Sequence, residues 1–213
     1  MNAILKTELI QLAKKYSYDG DPSHDFQHIL RVLQNAETIA KKEEGDLDII
    51  IPAALFHDLV NYPKNHPKAK LSSELSAQKT GKLLRKMKNY PQEKIPSVEH
   101  AIFCCSFTKK IVPDTIEGKI VQDADWLEAT GVLSIMRTFA STGKMKRPFY
   151  HLEDPFCERR MPEPRLYALD LFYDRLLRVH ERLNTKTAKV LAKRRTAFLQ
   201  TFLEELKREL KGE

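Results

Sequence analysis

Residues 49–56, "IIIPAALF", form an unbroken apolar run that stops at two polar side chains, His57 and Asp58. The surrounding stretch, about 46–59, reads as a helix that is apolar on several sides and therefore central in the fold. Burying an imidazole and a carboxylate at the end of such a helix is costly unless the interior supplies partners. The chain must therefore bring other polar groups to this point.

Nearly every other segment also carries the helical period. Residues 2–16 carry Ile4, Leu5, Leu9, Ile10 and Leu12 at helical spacing. Residues 23–42 read as a helix capped by Ser23, with Ile29, Val32, Leu33, Ala36, Ile39 and Ala40 as its stripe. Residues 61–70, "NYPKNHPKAK", hold two prolines and three lysines and read as a loop. Further helices are expected over 72–88, over 91–105 with Pro96 in the first turn, over 114–129 and over 131–142. Residues 141–164 contain four prolines and no clean period. Two helices close the chain, about 164–183 and 186–211, the last with Val190, Leu191, Phe198, Phe202, Leu206 and Leu210 as its apolar stripe. The expected class is all-α: one domain over 1–213, with a core at about 20–140 and C-terminal helices at about 164–211 packing on it.

The bulk numbers agree with that class. Seven Gly and eleven Pro in 213 residues are too few for a turn-rich β protein or a disordered chain. Lys and Arg number 36 against 29 acidic residues, a net charge of +7. Much of the excess follows residue 184 and reads as a solvated helix face, although a basic balance also suits anionic substrates or nucleic acid. Three cysteines, two of them adjacent, make a poor disulfide framework. No apolar stretch reaches membrane-span length, and the first 20 residues lack a signal-peptide core. A soluble cytoplasmic protein without a membrane partner is expected.

A buried His-Asp pair has two readings: hydrogen-bonded core groups, or ligands of a metal whose charge offsets their desolvation. Two other helices bear on the choice. Val32, Asn35, Ala36 and Ile39 all lie within about 80° of His28 at a helical step of about 100°. His28 thus continues a core-facing stripe. "IVQDADWLEATG", 120–131, then sets Asp123 and Asp125 among Ile120, Val121, Ala124 and Leu127. Three largely apolar helices each deliver a ligand-type side chain inward.

His28, "HD" at 57–58 and "ADWL" at 124–127 together resemble the HD-domain superfamily of metal-dependent phosphohydrolases. The stretches "SHDFQH..RV", "FHDLVNYPKNHP", "KIVQDADWLEA.G" and "EDPF" resemble a bacterial subgroup of it, and the likeness covers roughly residues 20–180. The resemblance implies a helical bundle in which His28, His57, Asp58 and Asp125 bind the metal. Face arithmetic alone favours Asp123, roughly 60° from Ile120 against roughly 140° for Asp125. Asp123 and His100 therefore stand as outer-shell groups or rival ligands. Two positions depart from the resembled pattern. Asn61 stands where several such enzymes carry a glutamate. Cys105 stands where relatives carry a second histidine after the one matching His100, which weakens a two-metal reading.

Two imidazoles and two carboxylates suit one divalent transition metal, with Mn²⁺ the first choice and Fe²⁺, Co²⁺, Ni²⁺ or Zn²⁺ as alternatives. His24, Asp25, His66 and Asp58 are candidates for proton transfer, with helix capping an equal possibility for Asp25. Lys64, Lys68 and Asn61 are candidate contacts to an anionic substrate. The expected activity is hydrolysis of a nucleoside triphosphate to monophosphate and pyrophosphate. A 5′-nucleotidase-like phosphatase or a phosphodiesterase is the alternative. The rival of another class is a non-catalytic helical binder of nucleotides or nucleic acid. No "GxxxxGK[ST]" motif, recognition-helix signature or RNA-binding aromatic motif occurs, so nucleic acid is not expected as a partner. A homodimer is compatible with the sequence.

Overall fold

The computed structural model of the chain describes residues 1–17, 25–62, 66–106, 109 and 111–213. The described residues are all-α, with helices and short 3₁₀ turns and no strand. None of these helices is long and apolar enough to cross a membrane. The chain divides into two compact units, Met1–Trp126 and Leu127–Glu213.

The first unit contains α1 (Ala3–Tyr16), α2 (Phe26–Glu43), α3 (Leu47–Phe56), α4 (Ser72–Leu84), α5 (Ile95–Cys104) and α6 (Ile116–Trp126). The apolar run becomes α3, whose residues Ile49 to Phe56 are all buried. This helix packs against α1, α2, α5 and α6. Pro52 lies inside it and has no amide to offer the Asp48 carbonyl one turn back. The Tyr90 hydroxyl donates to that carbonyl instead, at 2.7 Å. Burial holds the Tyr90 phenol well above its ordinary pKa, so it remains a donor.

Local caps fix where the helices start. Asn2 opens α1, accepting from the Ile4 amide at 2.7 Å. Asp46 opens α3, accepting from the Asp48 amide at 2.8 Å. The cap of α2 is Asp25, which accepts from the His28 amide at 2.8 Å. This corrects the expected Ser23 cap, which lies outside the described residues. Gly45 sits in the turn between α2 and α3, where a Cβ would stand 2.6 Å from both Ile50 Cδ1 and Ile120 Cδ1. A larger residue there would force both isoleucine methyls to move.

The second unit contains α7 (Gly131–Met145), α8 (Asp170–Asp174), α9 (Val179–Arg182) and α10 (Lys186–Glu209). Its core is Leu169, Phe172, Leu176, Leu199 and Leu203, with Phe139 and Phe202 packed against them. The expected continuous helix over 164–183 is instead broken into α8, a 3₁₀ turn at Leu176–Arg178, and α9. Its first residues are engaged elsewhere. The Ala168 and Leu169 amides donate to the Pro148 and Phe149 carbonyls at 3.1 and 2.8 Å. Arg175 then leaves helical geometry, with φ −140° and ψ −53°. On α10 the expected stripe is also corrected. Val190, Phe198 and Leu210 are exposed, while Ala188, Ala192, Thr196, Leu199 and Leu203 are buried. Leu191, Phe202 and Leu206 of that stripe are half-buried, with Phe202 and Leu206 packed on the core, so about half of it faces inward, beside Ala188, Ala192 and Thr196.

Candidate metal centre

Three helix segments converge in the first unit. His28 is in the first turn of α2, its ring 1% exposed. Asp25, a sequence candidate for proton transfer, is occupied in capping the turn that carries it. His57 follows the last residue of α3 and is 3% exposed. Its Nδ1 lies 2.8 Å from the Ala54 carbonyl oxygen. A carbonyl can only accept, so Nδ1 carries the proton, and in the neutral ring Nε2 presents a lone pair. Asp125 comes from the penultimate residue of α6.

The place of α6 is set by side chains that satisfy neighbouring backbone groups. Asn35 of α2 donates to the Ala124 carbonyl at 3.2 Å. Gln122 donates to the carbonyls of Cys104 and Ile111 at 2.6 and 2.8 Å. The Trp126 indole donates to the Cys105 carbonyl at 3.3 Å. The end of α5 thus receives two of its orphan carbonyl bonds from the helix that carries Asp125.

The donor atoms meet at short range. His28 Nε2 and His57 Nε2 are 3.3 Å apart. Asp125 Oδ1 lies 3.6 Å from His28 Nε2 and 3.7 Å from His57 Nε2. Asp58 Oδ2 lies 3.9 and 3.6 Å from the same two nitrogens. Metal–ligand bonds of about 2.0–2.2 Å, at tetrahedral to octahedral angles, separate neighbouring donors by roughly 2.8–3.6 Å. The nitrogen–nitrogen spacing falls in that range and the others lie at or just above its upper edge. His28, His57 and Asp125 form a group able to hold a metal ion. The imidazoles are buried, while the Asp58 and Asp125 side chains are 29% and 26% exposed. The nitrogens therefore close the inner side and the carboxylates border the open one. Paired carboxylates beside two imidazoles fit a divalent cation, which neutralises the charge and takes both lone pairs.

The other sequence candidates fall in different places. Asp123 is wholly buried, about 200° around α6 from Asp125, and is not one of the three converging groups. His100 Nε2 is 2.7 Å from Asp114 Oδ1. Cys105 is buried and directs its Sγ to the Ala101 carbonyl at 3.4 Å. Burial pushes its thiol pKa well up, and the Asp125 and Asp58 carboxylates add to the shift. It is a thiol, not a thiolate. Asn61, His66 and Lys68 are exposed. His24 and Lys64 lie outside the described residues.

The residues that brace α6, Asn35, Gln122 and Trp126, are not apparent as functional from the sequence alone. Their signal was a polar or hydrogen-bonding side chain at a position whose neighbours are apolar.

Residues 25–130 match the model of a family described as HD domain. The chain is 34% identical over 199 residues to the uncharacterized protein YpgQ of Bacillus subtilis (strain 168), covering 91% of this chain and 88% of that protein. A crystal structure of Bacillus subtilis YpgQ in complex with ADP is similar over 97% of this chain and 98% of that one, with a TM-score of 0.70 and 30% identity. A crystal structure of an HD-superfamily hydrolase from Bacillus thuringiensis is similar over 99% and 98%, with a TM-score of 0.76 and 28% identity.

Proposed function

This chain belongs to the HD-domain family, and from that membership we propose that it is a metal-dependent phosphohydrolase cleaving nucleoside triphosphates to monophosphate and pyrophosphate. The observation that carries the reading is the convergence of His28, His57, Asp58 and Asp125 on one half-open point. The ADP complex of the YpgQ relative supports a nucleotide as the substrate class.

In this reading those four side chains hold one divalent transition metal. The mixed imidazole and carboxylate set favours Mn²⁺ or a neighbouring ion over Mg²⁺, which prefers oxygen. A divalent ion held there supplies Lewis acidity, acidifying water and polarising a phosphoryl oxygen. The protein does the rest by position. The Ala54 carbonyl fixes the tautomer and direction of His57. Asp58 and Asp125 border the solvent side, and in this reading a carboxylate there would take the proton of attacking water. Lys68 is exposed in the segment after the His-Asp pair and is available to an anionic substrate.

The test is a product analysis of protein loaded with Mn²⁺, Co²⁺ or Zn²⁺ on a panel of nucleoside mono-, di- and triphosphates. Pyrophosphate and monophosphate are the expected products. Orthophosphate alone would replace this reading with a phosphatase. Tight nucleotide binding without turnover under any metal would leave a non-catalytic binder.

A further inference from the structure

The segment that follows the His-Asp pair is tethered, and it carries an aromatic pair that metal chemistry does not require. Ser76, wholly buried on α4, accepts from the Val60 amide at 2.9 Å and donates to the Val60 carbonyl at 3.2 Å. Ser72, one turn earlier on the same face, accepts from the Tyr62 amide at 3.3 Å. Tyr62 is four positions after Asp58, so their Cα atoms can be no more than about 14 Å apart. The backbone of Tyr62 is thus anchored on α4 within that distance of Asp58.

His66 is stacked on that ring, with centroids 4.6 Å apart and planes inclined by 10°. Its Nδ1 accepts from the Lys68 amide at 3.1 Å, which fixes the ring's orientation. His66 is exposed. Two aromatic rings, parallel and already immobilised, lose little entropy when a third flat ring is added. Exposed Lys68 and Lys70 follow the pair in sequence and favour an anionic ligand.

We propose that Tyr62 and His66 form a stacking platform for the base of a nucleotide whose phosphates reach the His28, His57, Asp58 and Asp125 cluster. This rests on the nucleotide reading above and adds the place where the base is held. The platform is tolerant of base identity, because every base offers a π-face and the stack itself reads no hydrogen-bonding edge.

The experiment compares binding of ADP and of pyrophosphate to Mn²⁺-loaded protein by calorimetry, in the wild type and in Tyr62→Ala, His66→Ala and His66→Phe. Thermal midpoints and metal content of each variant serve as folding controls. The alanine variants are expected to weaken ADP by about 5- to 150-fold, the loss of one base–aromatic stack, and to leave pyrophosphate unchanged. His66→Phe should restore ADP binding. Equal weakening of both ligands, no weakening of either, or failure of the phenylalanine to rescue would each overturn the platform. Wild-type protein that binds pyrophosphate but not ADP would do the same. Binding is read without turnover, so a lack of hydrolysis would sink the hydrolase reading while the platform is still judged by these affinities.

Discussion

His57 donates its Nδ1 proton to the carbonyl of Ala54, one turn earlier, at 2.8 Å. The bond leaves Nε2 as the acceptor, 3.3 Å from the Nε2 of His28. A lone pair fixed in this way is a ligand in waiting. Purified protein should hold about one transition metal per chain. His57→Ala should reduce the content to near none with the helical circular dichroism retained. Elemental analysis of both proteins checks this. Full metal content in the variant would place the ion elsewhere.

Asp125 and Asp123 separate on the same measurement. Asp125→Asn removes a carboxylate that stands 3.6 Å from His28 and 3.7 Å from His57, and metal should be lost. Asp123→Asn alters a buried group outside that set. It should weaken metal binding by about 10–100-fold at most, as changes behind the ligands do. Reversed effects would make Asp123 the ligand.

Cys105 tests the chemistry of the second-histidine position. Its thiol is buried, uncharged and bonded to the Ala101 carbonyl. Serine can donate to the same acceptor, so Cys105→Ser should keep the metal and cost about 1–2 kcal/mol of stability for burying a hydroxyl. Loss of metal in this variant would mean that the sulfur is a ligand after all.

How much of this was legible in the sequence depended on range. The central α3 and the inward histidine of α2 could be read because the apolar period is local and a buried polar residue interrupts it. Asp125 could not be chosen over Asp123 by face arithmetic. Ile120, Val121, Gln122, Asp123, Ala124 and Trp126 are all buried, so α6 has no clear outer face against which to measure. The resemblance to the family pattern selected Asp125, and the geometry brings that residue to the histidines. The broken helix at 164–183 was hidden because its cause is distant in sequence: the bonds of 168 and 169 to 148 and 149, and a partner for Asp170 ten residues away. On α10, weighting large side chains over Ala188 and Ala192 added the exposed Val190, Phe198 and Leu210 to a face that Phe202 and Leu206 do share with the core.

Tyr90 completes a defect that Pro52 builds into the central helix. Tyr90→Phe keeps the ring and removes the only atom that donates to the Asp48 carbonyl among the described contacts. An unsatisfied buried acceptor costs about 1–3 kcal/mol. Urea denaturation should show a loss of that size with no change in metal content. A neutral effect would mean that water replaces the hydroxyl.

In the second unit, Asp170 is wholly buried and accepts from Arg160 Nη1 and Nη2 at 2.5 and 2.7 Å and from the Glu163 amide at 2.6 Å. Burial alone would raise its pKa. The Arg160 hydrogen bonds and charge, with the Glu163 amide, outweigh it and hold the carboxyl below the usual range. A carboxylate with a depressed folded pKa binds fewer protons when folded than when unfolded. Its contribution is complete above the unfolded value of about 3.9 and is lost as pH falls through the folded value. Stability to urea should therefore fall between pH 6 and pH 3. Asp170→Asn should cost about 3–5 kcal/mol at pH 6, because it leaves Arg160 without its charge partner. It should also reduce the pH slope, leaving the share of other depressed carboxyls such as Asp154, which the Arg159 and Glu158 amides hold low. Denaturation curves of both proteins across that range give the comparison, and an unchanged slope in the variant would remove Asp170 from the acid response.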